Sequence, residues 1–537
     1  MSEFIFRTED IRTEEILGLY VETTKDKRIV DLLKSANPVI LEGSRGTGKS
    51  FLLRVAETQL LASFQTDRVL PVYVSFVKSS LLQSSDPQQF LHWMMAKLCS
   101  RTLRTLHQSG LLIQNQPLLS ILSGGKDLLS TVETPIEKVA AVFEESYRKP
   151  GQPVDSAGIP TVEDFKDAIE DICRSRNLKR IAFFIDEAAH IFRPEQQRQF
   201  FTLFRDLRSP FITCNAAVYP GVTAYGQTFQ AGHDAMTEQI NRDVLDKDYL
   251  VNMREIVFKQ ADSNLMADIT TNGENFSALA FAVSGNPRLL LKTIARAGRL
   301  RSSDVEKVLK EFYRNDVWSE HSALAERYAG HRGLIDWGRQ FIENTVIPDA
   351  RTKNATRESA GKAESTAFFW VHRDAPETVK EALRLLSYTG IVALMDSWVA
   401  GTRSEIGTRY SINLGCLAAT DAKPIGYLSQ ITRDLSIKRF TEYGANHAAF
   451  QSLNDLVGPF KESDLSQVLI AQLAKPISVL DLTDYQRNGL VSIGLDTVGK
   501  ALNAGEEDFQ KISYVGPKRS RRIMNIALAS VLEYLSG

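Results

Sequence analysis

The sequence predicts an α/β domain followed by a predominantly helical second half. Short apolar runs at 39–41, 72–76, 181–185 and 211–214 are separated by helical patterns over about the first 250 residues. Strands that alternate with helices in this way indicate a parallel sheet covered on both faces. From about residue 255 onward helical periodicity dominates, apart from one β-hairpin pattern near 391–414.

Composition narrows the class of protein. The chain has 537 residues, and 64 Lys and Arg against 65 Asp and Glu give a net charge of -1. Any affinity for nucleic acid must therefore come from local patches of positive charge. The 4 cysteines are far apart and form no CxxC pair, which argues against a disulfide framework or a structural zinc site. Without a signal peptide or a membrane span, we expect a cytoplasmic protein with no membrane partner.

A phosphate-binding loop follows the first strand. The pattern GxxxxGKS comprises Gly43, Ser44, Arg45, Gly46, Thr47, Gly48, Lys49 and Ser50. It lies between a strand and a helix, where backbone N–H groups and the helix N-terminus can surround phosphates. We expect Lys49 to reach the β and γ phosphates of ATP and Ser50 to ligate Mg²⁺.

The third strand supplies two carboxylates. The apolar run 181–185 ends in Asp186 and Glu187. In open α/β sheets this is the edge where ligands bind. Asp186 is placed to hold the Mg²⁺ and Glu187 to polarise the attacking water.

These motifs together resemble those of an AAA+ ATPase, in the initiator and origin-recognition branch that shares ancestry with the STAND switches. The resemblance rests on GSRGTGKS, FFIDEA, FITCNAAVYPG and SGNPRLLL, and it covers roughly residues 1–300. It implies that Asn215, just past the fourth apolar run, is the first sensor and that Arg288, at the start of a lid helix, is the second. It also implies a homo-oligomer completed by an arginine finger, for which Arg205, Arg242 or neither is the candidate.

Residues 376–414 look like a winged helix. A helix with Pro at its start and Gly at its end precedes two strands joined by a polar loop. If this module docks on DNA, Thr378, Lys380 and Arg384 would lie on the exposed face of the recognition helix, with Arg403 in the wing. Winged helices also serve as protein interfaces, and both roles are open.

The C-terminus is similar to a helix-hairpin-helix and resembles the C-terminal domain of the RNA polymerase alpha subunit. A tight turn containing Gly516 leads into a helix that opens with Lys518, Arg519, Arg521 and Arg522. This arrangement suits phosphate binding without base specificity. The alternative is a small helical domain that packs only against protein.

We divide the chain into five parts. They are an AAA+ core at 1–250 with a helical insertion at about 77–160, a helical lid at 251–300, a winged helix at 301–415, a helical linker at 416–480 and a helix-hairpin-helix at 481–537.

The predicted function is Mg-ATP-dependent hydrolysis coupled to DNA binding or assembly on DNA. With no second catalytic centre in the sequence, a nuclease or other effector would be a separate protein. The alternatives are a STAND-like oligomerisation switch that recognises a protein, as in bacterial anti-phage defence, and an ATP-dependent filament on duplex DNA.

Overall fold

A computed structural model describes residues 4–78, 82, 88–111, 122–123, 134–146, 152–188, 194–220, 225–226, 228–327, 331–402, 404–456, 473–480 and 482–535. The chain forms two compact units, Met1–Asp304 and Val305–Gly537. Among the helices of the described ranges, none is long and apolar enough to cross a membrane.

The first unit is built on a five-stranded parallel sheet. Its strands are β1 (Val39–Glu42), β2 (Val69–Ser75), β3 (Arg180–Asp186), β4 (Ile212–Val218) and β5 (Met236–Gln239), in the spatial order β2-β3-β4-β1-β5. Four of these strands confirm the apolar runs of the sequence. We did not predict β5, because its residues are mostly exposed and form no apolar run.

Both faces of this sheet are buried, as the apolar strands predicted. Along β3, Ile181, Phe183 and Ile185 contribute to one hydrophobic cluster, while Ala182 and Phe184 contribute to another on the opposite face. Alternate side chains of a strand point to opposite faces, so an uninterrupted apolar strand needs a layer on each side.

Helices that precede β5 supply those layers. They are α1 (Ile16–Leu19), α2 (Thr24–Lys34), α3 (Lys49–Ala62), α4 (Phe64–Asp67), α5 (Gln89–Gln108), α6 (Pro135–Glu144), α7 (Val162–Arg176), α8 (Pro194–Asp206) and α9 (Ala231–Asp234). The described helices that follow β5 in this unit belong to neither cluster, and they are α10 (Tyr249–Phe258), α11 (Ser263–Thr271), α12 (Gly273–Ala282) and α13 (Pro287–Ala297). Helix α5 lies in the predicted insertion, and its Trp93 and Met94 are fully buried in the same cluster as Phe183. The insertion therefore contributes to the core.

The second unit starts within α14 (Ser302–Phe312) and contains a four-stranded sheet. Strands β6 (Phe368–His372), β7 (Val392–Ala400), β8 (Ile406–Ile412) and β9 (Thr441–Tyr443) lie in the order β7-β8-β6-β9. Strands β7 and β8 pair antiparallel, as the hairpin pattern predicted. Strand β9 pairs parallel with β6, so the expectation that 416–480 is helical is wrong at this point.

The other α-helices that the structure describes in the second unit are α15 (Trp318–Arg327), α16 (Arg332–Phe341), α17 (Ile347–Ser359), α18 (Glu377–Thr389), α19 (Leu414–Ala418), α20 (Pro424–Arg433), α21 (Gln451–Leu456), α22 (Asp484–Ser492), α23 (Val498–Asn503), α24 (Glu506–Phe509) and α25 (Pro517–Leu535). Residues from Ile477 to Ala527 share a hydrophobic cluster of their own. The last four helices thus surround a separate small core.

Candidate nucleotide-binding site

The loop between β1 and α3 has a left-handed backbone conformation at two positions, and glycine occupies both. Gly46 has φ of 87° and Gly48 has φ of 102°, both in the left-handed region. A Cβ at Gly46 would also lie 2.8 Å from Oδ1 of Asn286. The glycines of the sequence pattern therefore let the loop curl and let the segment before α13 approach it closely.

Lys49 is buried at the start of α3 and points into the loop. Its Nζ donates to the carbonyl oxygen of Gly43 at 2.6 Å and to that of Ser44 at 3.0 Å. Burial lowers the pKa of Lys49 to about 8, an effect that the nearby Glu187 and Asp186 oppose. The ammonium group is thus held among carbonyls and carboxylates at the position where phosphates are expected.

Asp186 ends β3 at the same edge of the sheet. It is buried, and its carboxylate accepts hydrogen bonds from Tyr73 Oη at 2.6 Å and from the backbone N–H of Glu187 at 3.0 Å. Burial and the neighbouring Glu187 raise the pKa of Asp186, while hydrogen bonds from Tyr73 and Ser50 counteract that rise. The hydrogen bond with Ser50 brings the two predicted Mg²⁺ ligands together.

Glu187 follows in a strained backbone conformation. Its φ is 57°, a left-handed value that costs a non-glycine residue free energy and is common at functional sites. Its carboxylate accepts from Tyr219 Oη at 3.3 and 3.4 Å. The strain turns the side chain away from the strand direction and toward the end of β4.

The prediction for Asn215 is wrong in position. Asn215 lies inside β4, opposite Val39 at the start of β1, and is fully buried. Its side chain accepts from the N–H of Val39 at 3.1 Å and donates to the carbonyl of Leu33 at 3.1 Å. Strand β4 ends three residues later at Val218, so the residue just past the strand is Tyr219.

Tyr219 is one of the site residues that the sequence analysis missed. Lys49 Nζ lies 4.0 Å from the centroid of its ring, and its hydroxyl reaches Glu187. Sequence patterns contain no motif for a tyrosine here. Only the length of β4, set by its pairing with β1 and β3, places it at the edge of the sheet.

A cavity of ≈ 400 Å³ opens beside these groups. It is lined by the N-terminal residues 5–11, by the phosphate-binding loop, by Glu187 and Tyr219, and by Pro287, Arg288 and Leu291 of α13. Its volume lies within the range of small-molecule sites, roughly 300–1,000 Å³. The combination of an apolar wall and convergent charged groups suits a nucleotide.

Arg288 lies where the resemblance implied, on the cavity wall. Its Nε donates to the carbonyl of Phe6 at 2.9 Å, and it is near enough to lower the pKa of Lys49. Asn286 is the N-cap of α13, and its side chain accepts from the N–H of Leu289, while Pro287 occupies the first helical position. Asn286 Nδ2 also donates to the carbonyl of Arg45 at 2.8 Å, which links α13 to the loop.

The two arginine-finger candidates have partners within their own chain. Arg242 donates to the carbonyl of Thr47 at 2.8 Å and pairs with Asp26 at 3.1 Å, so it lines its own cavity. Arg205 pairs with Asp206 and donates to the carbonyl of Thr228. Arg242 therefore supports the loop of the same subunit.

The cavity fits ATP and Mg²⁺ by its unsatisfied donors and its oxygen ligands. Tyr20 and Arg242 are lining residues of the cavity, and Tyr20 Oη and Arg242 Nε are buried without a hydrogen-bond partner among the described residues. Such donors are satisfied when a ligand supplies acceptors. The Ser50 hydroxyl and the Asp186 carboxylate are the hard oxygen ligands that Mg²⁺ prefers.

In the second unit, one residue of the predicted recognition helix is misplaced. Thr378 on α18 is only 5% exposed, because this side of the helix packs into the core. Lys380 pairs with Glu377 at 3.3 Å, and Arg384 contacts both Glu377 and Glu381. The outer stripe of α18 is therefore close to neutral, and Arg403 lies outside the described residues.

The C-terminal cations are arranged as predicted. Gly516 is exposed in the turn before α25, and Lys518, Arg519, Arg521 and Arg522 are exposed on its first turns. Ser520, between them, is buried and marks the side that packs on the small core. The turn and the helix start thus present four cations to solvent.

The sequence of the first unit is similar to a known family. Residues 4–257 match the ORC-CDC6-like family model. This part of the chain, with its parallel sheet and its phosphate-binding loop, is therefore similar to the ORC-CDC6-like family, as the resemblance to that branch of the AAA+ ATPases implied. No curated protein matches the sequence.

The solved structures that are similar to the chain include the following three. The Walker-type ATPase PABY2304 of Pyrococcus abyssi has 14% identity and a TM-score of 0.39, over 80% of this chain and 97% of that one. The Aeropyrum pernix ORC1 protein in complex with DNA has 14% identity and a TM-score of 0.33, over 79% and 95%. The Aeropyrum pernix ORC2 protein, in ADPNP-ADP complexes, has 10% identity and a TM-score of 0.34, over 79% and 94%. The similarity to the ORC-CDC6-like family rests on the sequence match alone.

Proposed function

We propose that the protein is a Mg-ATP-dependent ATPase that couples ATP binding and hydrolysis to DNA binding or assembly on DNA. The observation that carries the ATPase proposal is the meeting of Lys49, Asp186 and Glu187 at one edge of the sheet, beside a cavity walled by Arg288. A lysine, a metal-binding carboxylate and a second carboxylate are the groups that phosphoryl transfer to water requires.

Each residue has a separate role in this proposal. The loop N–H groups and Lys49 bind the phosphates, and Ser50 and Asp186 hold Mg²⁺. When bound, Mg²⁺ supplies positive charge that offsets the charge developing on the phosphate oxygens. Glu187 orients the attacking water and accepts its proton, while Tyr219 holds the Glu187 carboxylate. Arg288 adds a rigid guanidinium donor from α13.

The base and ribose of ATP fit the opposite side of the cavity. Residues 5–11 form that wall, held to the lid by the hydrogen bond from Ile5 N to Gln260 Oε1 at 2.9 Å and by the bond from Arg288 to Phe6. Burial raises the pKa of Tyr20, so its hydroxyl remains a donor at neutral pH. We propose that Tyr20 donates to an acceptor of the nucleotide.

DNA is the proposed partner because four cations are exposed together at the C-terminus. Lys518, Arg519, Arg521 and Arg522 lie within five residues, on a chain whose net charge is only -1. Such a local patch binds phosphates without reading bases. We further propose that the protein forms a homo-oligomer and that any nuclease or other effector is a separate protein.

A second candidate is an ATP-driven switch that recognises a protein. The observation that favours it is the neutral outer stripe of α18, where Glu377 and Glu381 pair with Lys380 and Arg384. A helix whose cations are already paired gains less from phosphate contacts than one with free cations.

Steady-state ATP hydrolysis separates the candidates. Turnover is measured without DNA, with duplex and with single strands, and Glu187→Gln serves as the blank for contaminating ATPase. Stimulation by DNA above that blank supports the first candidate. Turnover that is indifferent to DNA refutes the coupling and favours the switch, whereas no turnover above the blank refutes the ATPase.

A further inference from the structure

The second unit contains a cleft that is rich in positive charge. It has a volume of ≈ 700 Å³ and lies between the β6–α18 segment and the start of α25. Its charged lining consists of the cations Arg373, Lys380, Lys518, Arg521 and Arg522 and the carboxylates Asp374 and Glu377. Five cations against two carboxylates leave an excess of three positive charges.

The carboxylates are engaged on their own wall of the cleft. Asp374 lies 3.7 Å from Arg373, and Glu377 lies 3.3 Å from Lys380. On the opposite wall, Lys518 and Arg522 form no ion pair with any residue that the structure describes. The α25 wall is therefore the one that an anionic ligand would neutralise.

An exposed aromatic side chain precedes this wall in the sequence by a few residues. Tyr514 is 85% exposed, the highest value among the exposed large apolar and aromatic side chains of the described chain. It precedes Pro517, a residue of the cleft, by three positions, so their Cα atoms are at most about 11 Å apart. Its φ is 60°, and Arg519 holds its carbonyl oxygen at 2.7 Å. The turn thus holds the ring outward instead of burying it.

We propose that the cleft and Tyr514 together bind single-stranded DNA. The cations contact successive phosphates, and a base stacks on the Tyr514 ring. A positively charged groove with an exposed aromatic is the combination that binds single strands without sequence preference. In a duplex the base faces are already stacked on one another, so the Tyr514 ring has no free base face to bind. The inference rests on the DNA-binding part of the proposed function and adds the strand form and the residues.

Fluorescence anisotropy of the full-length protein tests this inference. The probes are a labelled 20-nucleotide oligo-dT and a labelled duplex of the same length, each measured at several salt concentrations. We expect the single strand to bind more tightly. Tyr514→Ala should weaken that binding about 5- to 150-fold, because base–aromatic stacking contributes about 1–3 kcal/mol. The salt dependence should stay unchanged, and Tyr514→Phe should bind like the unaltered protein.

Replacing cations should change the salt dependence of binding, which Tyr514→Ala should leave unchanged. Replacing Lys518 and Arg522 with alanine should reduce the slope of log affinity against log salt by about 1.4, since each phosphate contact contributes about 0.7 for single strands. The matched control replaces Lys500 and Lys511, which lie in the same small domain, pair with Asp496 and Asp508, and are not part of the cleft. The control changes the net charge equally and should leave the slope unaltered.

Three outcomes are decisive. Selective loss of single-strand affinity in Tyr514→Ala, together with a smaller slope in the cation variant, supports the inference. Duplex affinity that equals or exceeds single-strand affinity, and that Tyr514→Ala does not change, overturns it and leaves the proposed function standing. Absence of binding to either DNA contradicts both. Thermal unfolding verifies that each variant folds, and a Lys518→Gln, Arg522→Gln variant replaces the alanine pair if that pair does not.

Discussion

Lys49 Nζ lies 4.0 Å from the centroid of the Tyr219 ring, and the hydroxyl of the same tyrosine donates to the Glu187 carboxylate. One side chain therefore touches both the phosphate-binding lysine and the proposed base. Because Tyr219 is 4% exposed at the end of β4, its position is fixed by the sheet. It connects the groups that bind ATP with the group that activates water.

Tyr219→Phe should separate these two contacts. The ring remains under Lys49, so ATP affinity should not change, while loss of the hydroxyl removes a hydrogen bond to Glu187 worth about 0.5–1.5 kcal/mol. We expect turnover to fall about 2- to 13-fold. Tyr219→Ala should also weaken ATP binding, because it removes the cation–π contact. Turnover equal to that of the unaltered protein in Tyr219→Phe would show that the hydroxyl has no role.

Asn215→Ala should affect stability instead of catalysis. The change leaves the buried N–H of Val39 and the carbonyl of Leu33 without their partner, at a cost of about 1–3 kcal/mol in the free energy of unfolding. Chemical denaturation measures this loss, and turnover is expressed per folded molecule. A large drop in turnover with unchanged stability would contradict this expectation and show that Asn215 acts as a sensor.

The contrast between Asn215 and Tyr219 shows what the sequence could predict. The apolar runs and the glycine pattern predicted four strands, the loop and the carboxylates of β3, because these depend on local residue types. The end of β4 depends on its register with β1 and β3, which no local pattern records. Thr378 was misplaced for a similar reason, since the buried side of α18 is decided by the helices and strands that pack on it. The exposed position of the C-terminal cations at a helix start could be predicted because a short basic run beside a turn remains in solvent, whereas their role in DNA binding stays a prediction.

ATP affinity should fall as the pH rises through about 8. Burial lowers the pKa of Lys49 to about 8, so the ammonium group that attracts phosphate is present below this pH and lost above it. The phosphate groups of ATP, with a pKa of about 6, are already ionised in this range. Titration with a fluorescent ATP analogue between pH 6.5 and 9.5 should show up to about tenfold weaker binding per pH unit above the transition. Lys49→Ala should bind weakly at every pH, and a pH-independent affinity in the unaltered protein would contradict the assignment.

Arg242 should act on the loop of its own subunit. Its bonds to Thr47 and Asp26 predict that Arg242→Ala weakens ATP binding within that subunit. When Arg242→Ala protein is mixed with Lys49→Ala protein, turnover should not recover, because each subunit has a defect in its own site. Recovery on mixing would mean that a neighbour supplies the missing arginine, and Arg242 would then be an arginine finger. Arg205→Ala, whose arginine lies outside the cavity, is the matched control.

The coupling between ATP and DNA is tested most directly by measuring how each ligand changes the affinity of the protein for the other. The experiment uses Glu187→Gln, which should bind ATP without hydrolysing it. The affinity of this variant for single-stranded DNA is measured with ATP, with ADP and without nucleotide. Its affinity for ATP is measured with and without DNA. Linkage requires that ATP change DNA affinity by the same factor by which DNA changes ATP affinity. We predict equal factors, of about 5- to 150-fold, in the two directions. DNA affinity that is identical in all three nucleotide conditions would contradict the proposed function.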